Sequence, residues 1–311
     1  MVTVALAVAL AAIAVLVGVQ TGYHRVDVDE QVYRDTLLRM RAGENYYPAM
    51  RDALVQDKRE RPTAVRSLRP PTLFLLLRPL PPRSWRWVVG VVYLAVLLLA
   101  WRLGRPFGDF GGALSVVLAG VWVLGFADYL FLHSELWGAP LFMAGVLALR
   151  RGDDAEAAAW MTAATFFREL FALGLLLGLV LRRRRAWLVA IGVVGAGVAV
   201  HTLLAQSALS PTGHDAAFGN ERRTAQYLLR LVSPASLPSA YLFGLVTLAV
   251  GLWGAGRVRV VDAGARLVLP YAALMIVFSI YATRQYWSAT WAPTLVCFVP
   301  AALWPAAARA G

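Results

Sequence analysis

Uncharged apolar stretches about as long as a bilayer is thick recur along this chain, and they constrain its fold more than any other feature. A helix needs ~20 predominantly apolar residues to cross the hydrocarbon region. Val2–Val19 is the first such stretch. Trp85–Trp101, Gly112–Leu132, Leu136–Leu149, Ala186–Ala205, Leu242–Gly254, Leu267–Thr283 and Trp287–Ala307 follow. Of the 311 residues, 59% are hydrophobic and 15% charged, against roughly 45–50% and 25% in soluble domains. The expected fold is an all-α polytopic membrane protein forming one domain over residues 1–311. It would have about eight full transmembrane helices and a short helix pair, eight to ten in total. Val2–Val19 lacks the basic flank of a secretory signal, so it reads as a retained first helix.

The net charge of +12 comes from a basic set in which Arg outnumbers Lys by 29 to 1. Much of it lies between the apolar stretches, where it sets topology and meets lipid phosphates rather than nucleic acid. The one cysteine, Cys297, excludes a disulfide framework and a cysteine-built zinc site. Ala157–Leu181 decides the topology. Read as one span, it would place Arg182 to Arg185 opposite the other basic loops, against the positive-inside rule. Read as two short helices folding back at Phe167-Arg168-Glu169, it puts the basic loops and both termini on the cytoplasmic side. The extracytoplasmic face then collects a long first loop over 21–84 with interfacial helices, the turn around His133-Ser134-Glu135, the Arg168-Glu169 apex, the loop 206–240 and the segment Tyr281–Trp287. No internal repeat is present, which argues against the commonest transporter architectures.

Several residues on that face are candidates for chemistry. Asp29 and Glu30 open a helical pattern in which Tyr33, Leu37 and Met40 share one face and Gly43 ends the helix. Val32, Leu37 and Met40 form an apolar stripe suited to the membrane surface. Asp29 serves either as a helix cap or as a catalytic acid, and its acidic neighbour keeps both readings open. His133 and Glu135 border apolar stretches, where ionisable groups are functional candidates, although they could also simply end two helices. Adjacent residues on a continuous helix do not face each other, so Arg168 is expected to reach a phosphate, with a structural pairing elsewhere as the alternative. Arg284 and Tyr286 lie between two apolar stretches and point to a lipid headgroup or a donor phosphate. His24, His201 and His214 lack metal-ligand spacing and read as structural. Gly174-x-x-x-Gly178 signals close helix packing. No nucleotide-binding loop occurs.

Asp29-Glu30 followed by Tyr33, Leu37, Met40, Gly43 and Tyr47-Pro48 resembles the first extracytoplasmic loop of GT-C glycosyltransferases. The similarity extends to the protein-mannosyltransferase/aminoarabinose-transferase branch and to the polyprenyl-phosphate-mannose-dependent branch. Pro70-Pro71 with Pro79-Leu80, Arg168-Glu169 and Arg284-Gln285-Tyr286 are similar to further elements of that superfamily. The resemblance implies sugar transfer, with inversion, from a polyprenyl-phosphate donor to an extracytoplasmic glycan, lipid or protein acceptor. It implies Asp29 as general base with Glu30 assisting, Asp27 being the alternative. Tyr33, His133, Glu135, Arg168, Glu169, Arg284 and Tyr286 would surround the substrates. The implied location is a bacterial plasma membrane. The site is expected to work without a cofactor, and a divalent Mg²⁺ or Mn²⁺ on the paired acids is the alternative. The expected partners are the donor and membrane lipid, with no nucleic acid. A flippase for a lipid-linked precursor and a non-catalytic membrane subunit are the competing functions.

Overall fold

The computed structural model describes residues 28–58, 68–127, 132–209, 238–282 and 290–303. Among them the regular elements are all helical. The first three are short: α1 (Val28–Arg41), α2 (Tyr46–Ala53) and α3 (Thr72–Leu77). The long elements that follow are α4 (Pro82–Gly104), α5 (Asp109–Ala127) and α6 (Ser134–Arg150). Next come α7 (Asp154–Phe167), α8 (Ala172–Arg182) and α9 (Arg185–Ala205). The described chain closes with α10 (Pro238–Val258), α11 (Ala263–Ala282), α12 (Ala292–Leu295) and α13 (Val299–Leu303).

The expectation of about eight full spans is overturned. Among the described residues only Pro82–Phe107 and Arg185–Ala208 are long and apolar enough to cross a membrane, and the shorter apolar stretches Asp109–Val123, Gly244–Val258, Ala263–Val277 and Ala292–Leu303 run 10–17 residues. Apolar content was the misleading quantity. In α6, 13 of 17 residues are buried inside the protein, so its hydrophobicity serves a protein core. The last apolar stretch is broken into α12, a 3₁₀ turn at Val296–Phe298 and α13. Val2–Val19 lies outside the described residues, as does most of the 206–240 loop. The two long helices do carry uncovered apolar faces. On α4, Trp87, Val91, Leu94 and Leu98 are exposed at helical spacing, and on α9 Leu188, Val189, Val193, Leu203 and Leu204 are exposed. Apolar surface of this extent is the structural basis for membrane association.

The interfacial placement of α1 is also corrected. Val32, Leu37 and Met40 are buried in the core with Ala49, Met50 and Phe74, and Thr36 among them donates to the Val32 carbonyl and reaches Met50 of α2. Gly43, at φ +108°, ends α1 in a conformation that favours glycine.

The helix bundle has two chemically distinct ends. At one, Arg150 at the close of α6 pairs with Asp262 at 2.6 Å, just before α11. Its guanidinium lies over the Phe107 and Phe298 rings and donates to the Leu103 carbonyl. Asp153 caps α7 by accepting from the Glu156 amide. Asp154 takes Arg182 in a two-point contact at 2.9 and 3.2 Å and accepts from the Trp187 indole. The start of α7 therefore meets the end of α8, and the chain does fold back between them. Gly178 permits this closeness, since a Cβ there would stand 2.3 Å from the Trp187 ring.

Burial pushes the Asp154 carboxyl up, but Arg182, Trp187 and Arg184 outweigh it and hold the group below its ordinary 3.8. A depressed carboxylate stabilises the fold above its unfolded pKa and loses that contribution as pH falls through the folded value. The unfolding temperature is therefore expected to drop on acidification below about pH 4, and Asp154→Asn should flatten that part of the profile. Thermal unfolding between pH 3 and 7 reads both.

Candidate functional site

The opposite end of the bundle gathers charged side chains from four chain segments. The first turn of α1 supplies Asp29 and Glu30, where carboxylates complement the helix dipole. Glu30 is 1% exposed and its Oε2 accepts from the Leu132 amide at 3.0 Å. That contact fastens α1 to the turn before α6. Next on that turn, His133 stacks edge-on against Tyr33 of α1 with ring centroids 5.2 Å apart. Its Nδ1 lies 3.9 Å from Glu135 Oε2. Tyr93 of α4 stands close enough to Glu30 to feel its charge.

Arg168 explains why the α7–α8 hairpin breaks where it does. Its backbone is extended (φ −150°, ψ 124°), which ends α7 and admits a 3₁₀ turn at Glu169–Phe171 before α8. The side chain, 1% exposed, turns inward. Nε pairs with Glu135 Oε1 at 2.8 Å and Nη1 with Glu169 Oε1 at 3.2 Å. Gly138 makes room beside this point, since a Cβ there would meet the Phe171 ring at 2.2 Å.

The fourth segment is the irregular run 68–71. Arg69 places Nη1 3.8 Å from Glu169 Oε1, and its Nε donates to the Tyr33 hydroxyl at 3.3 Å. The contacts thus close into a ring: Tyr33, His133, Glu135, Arg168, Glu169, Arg69 and back to Tyr33. Two prolines after Arg69 keep the run out of a helix, and Tyr46 of α2 holds it by donating to the Arg69 carbonyl at 2.5 Å. Burial, reinforced by Tyr33 and Tyr47, pushes the Tyr46 phenol well above its ordinary value, so it stays a donor. Thr72 donates to the Phe166 carbonyl at 2.6 Å and pins the start of α3 to the end of α7.

Burial pushes the Glu169 carboxyl up, but Arg168 and Arg69 outweigh it and hold the group below its ordinary value. It is ionised at neutral pH. Its side chain is half exposed, unlike Glu135, which is buried.

Of the residues singled out in the sequence, Tyr33, His133, Glu135, Arg168 and Glu169 are brought together in the ring, with Glu30 attached through Leu132 and Asp29 beside it. Arg284 and Tyr286 lie outside the described residues. Arg168 and Glu169 do pair, because the helix is interrupted between them, and Arg168 is engaged by Glu135 as well. Arg69 was missed. Its signal was the Arg-Pro-Pro sequence, which keeps the backbone out of a helix next to a charged side chain. His201 also takes part at the margin, between the Tyr47 hydroxyl at 2.9 Å and the Leu68 carbonyl at 3.1 Å.

Among the described residues no group of three or more His, Cys, Asp or Glu side chains is arranged to hold a metal ion. Comparison with protein-family models, with curated proteins and with solved structures finds no match to this chain.

Proposed function

We propose that the chain is a membrane glycosyltransferase of the bacterial plasma membrane that moves a sugar from a polyprenyl-phosphate donor to an acceptor on the extracytoplasmic side. The observation that carries the reading is the convergence of the buried Glu30, Glu135 and Arg168 with Glu169 and Arg69, from segments as far apart in the sequence as α1 and the α7–α8 hairpin. Such a set is costly to bury unless it is used, since every ion must be paired or bonded.

The chemistry needs little more. An acceptor oxygen attacks the anomeric carbon while its proton passes to a carboxylate, and the carbon–oxygen bond to the lipid phosphate breaks with its electron pair leaving on the phosphate. Asp29 is the general base. Glu30, bonded to the Leu132 amide, fastens the first turn of α1, which carries Asp29, to the turn before α6. Arg69 meets the leaving phosphate, whose growing charge suits a guanidinium. Arg168 holds Glu135 and Glu169 in place around the acceptor. The two apolar helices keep this assembly at the lipid from which the donor comes.

One observation favours a second reading, a non-catalytic membrane subunit: the charge of Arg168 is paired with Glu135 and Glu169 without any ligand. Product stereochemistry separates the two. A single displacement inverts the anomeric centre, so a β-linked polyprenyl-phosphate sugar is expected to give an α-linked product, read from the anomeric proton coupling. A retained configuration would contradict the one-step mechanism, and absence of product would favour the subunit.

A further inference from the structure

A cavity of about 430 Å³ lies beside the ring, between the Leu68–Thr72 run, the end of α7 and the second half of α9. This is within the size range of small-molecule sites. Its walls are chemically lopsided. Pro70, Pro71, Phe166, Val194, Val198 and Leu204 are prominent in the apolar lining, and the polar side chains are Tyr47, Thr72, Thr165, His201, Thr202 and Glu169. Gly197 lets the Phe166 ring close one wall, because a Cβ there would stand 2.4 Å from it.

Three of the polar groups are occupied internally. Tyr47 and His201 bond each other, His201 also bonds the Leu68 carbonyl, and Thr72 donates to the Phe166 carbonyl. Glu169 differs from them. Both arginines contact the same oxygen, Oε1, and half of the side chain remains open. A carboxylate at the polar end of an apolar chamber calls for a hydrogen-bond donor.

The charge of the surroundings selects among donors. Arg168 and Arg69 balance Glu135 and Glu169, so an added cation would face two guanidiniums and an added anion would face the carboxylate. A neutral hydroxyl meets neither penalty. The other end of the chamber selects for an alkyl chain. Val198, Val200 and Leu204 line it and are also more than half exposed, on the helix that is only 17% buried across its apolar window. The chamber therefore opens onto the apolar face that α9 leaves uncovered.

We propose that this chamber binds a neutral amphiphile, with a hydroxyl-bearing headgroup donating to Glu169 and an alkyl chain laid along Val194, Val198 and Leu204 of α9. The assignment goes beyond the glycosyl-transfer reading and stands or falls without it, because binding can be read where no sugar moves.

The test uses an alkyl glucoside carrying a photoreactive diazirine on its chain, added to the full-length protein in lipid nanodiscs and mapped by peptide mass spectrometry after illumination. Label is expected on the peptides spanning 165–169 and 194–204. Octyl glucoside should displace it, and an alkyl amine oxide of equal chain length, which has no hydroxyl, should not. Glu169→Gln should weaken labelling about ten-fold, the usual scale for losing a charge-assisted hydrogen bond. Val194→Trp, which fills the apolar end and leaves the ring alone, should abolish it. Label spread evenly over α9 as far as Leu188 and Val189, equal displacement by the amine oxide, or a Val194→Trp protein that labels like the wild type would each overturn the proposal.

Discussion

Arg168→Met is expected to cost ~3–5 kcal/mol of stability, the scale for stranding one partner of a buried ion pair. The expectation follows from where its partners sit. Glu169 is half exposed and keeps Arg69, so water and one arginine remain to it. Glu135 has neither recourse, being buried and held at 2.8 Å by the guanidinium that would be removed. The double variant Glu135→Met/Arg168→Met should recover most of the loss, because apolar replacement of a whole buried pair is often neutral or better. Thermal unfolding of wild type, both single variants and the double variant gives the coupling energy directly. Additive single effects would show that the two side chains do not depend on each other, and the ring would lose its central contact.

How much of this was legible in the sequence depends on what each residue needed. The acidic start of α1 and its end at Gly43 follow from local rules of capping and helix polarity, and they stand. The break at Arg168 was legible from charge placement, since the arginines from 182 to 185 had to lie on the side of the other basic loops. The membrane-crossing count was not legible. Apolar residues such as Trp137, Phe142, Met143 and Val146 of α6 are buried by protein, whereas those of α9 are exposed, and the two patterns read alike in a sequence. Val32, Leu37 and Met40 failed for the same reason: an apolar stripe announces burial without saying whether lipid or protein does the burying.

The ring itself was half legible. Its members were picked out singly as ionisable groups at the edges of apolar stretches. Their partnerships were hidden, because Glu135 and Arg168 meet only where the start of α6 lies against the end of α7, and Arg69 joins them only through the irregular run held by Tyr46. The rule that neighbours on a helix do not face each other is sound, and it failed at Arg168-Glu169 because no continuous helix exists there.

Asp29→Asn bears most directly on the central claim, that this assembly is a catalytic centre. Asparagine keeps the size of the side chain, and losing one first-turn carboxylate costs only about 0.3–1 kcal/mol, so Asp29→Asn should leave α1 folded while removing the proton acceptor. Removal of a general base lowers the rate ~10²–10⁴-fold. The measurement is transfer of label from a panel of radiolabelled polyprenyl-phosphate sugars, by wild type and by Asp29→Asn in lipid, with membrane extract as the source of acceptor. The account predicts that wild type moves label from at least one donor and that Asp29→Asn binds that donor equally well while transfer falls by that factor. Equal transfer by both proteins, or none by either from any donor, would contradict it.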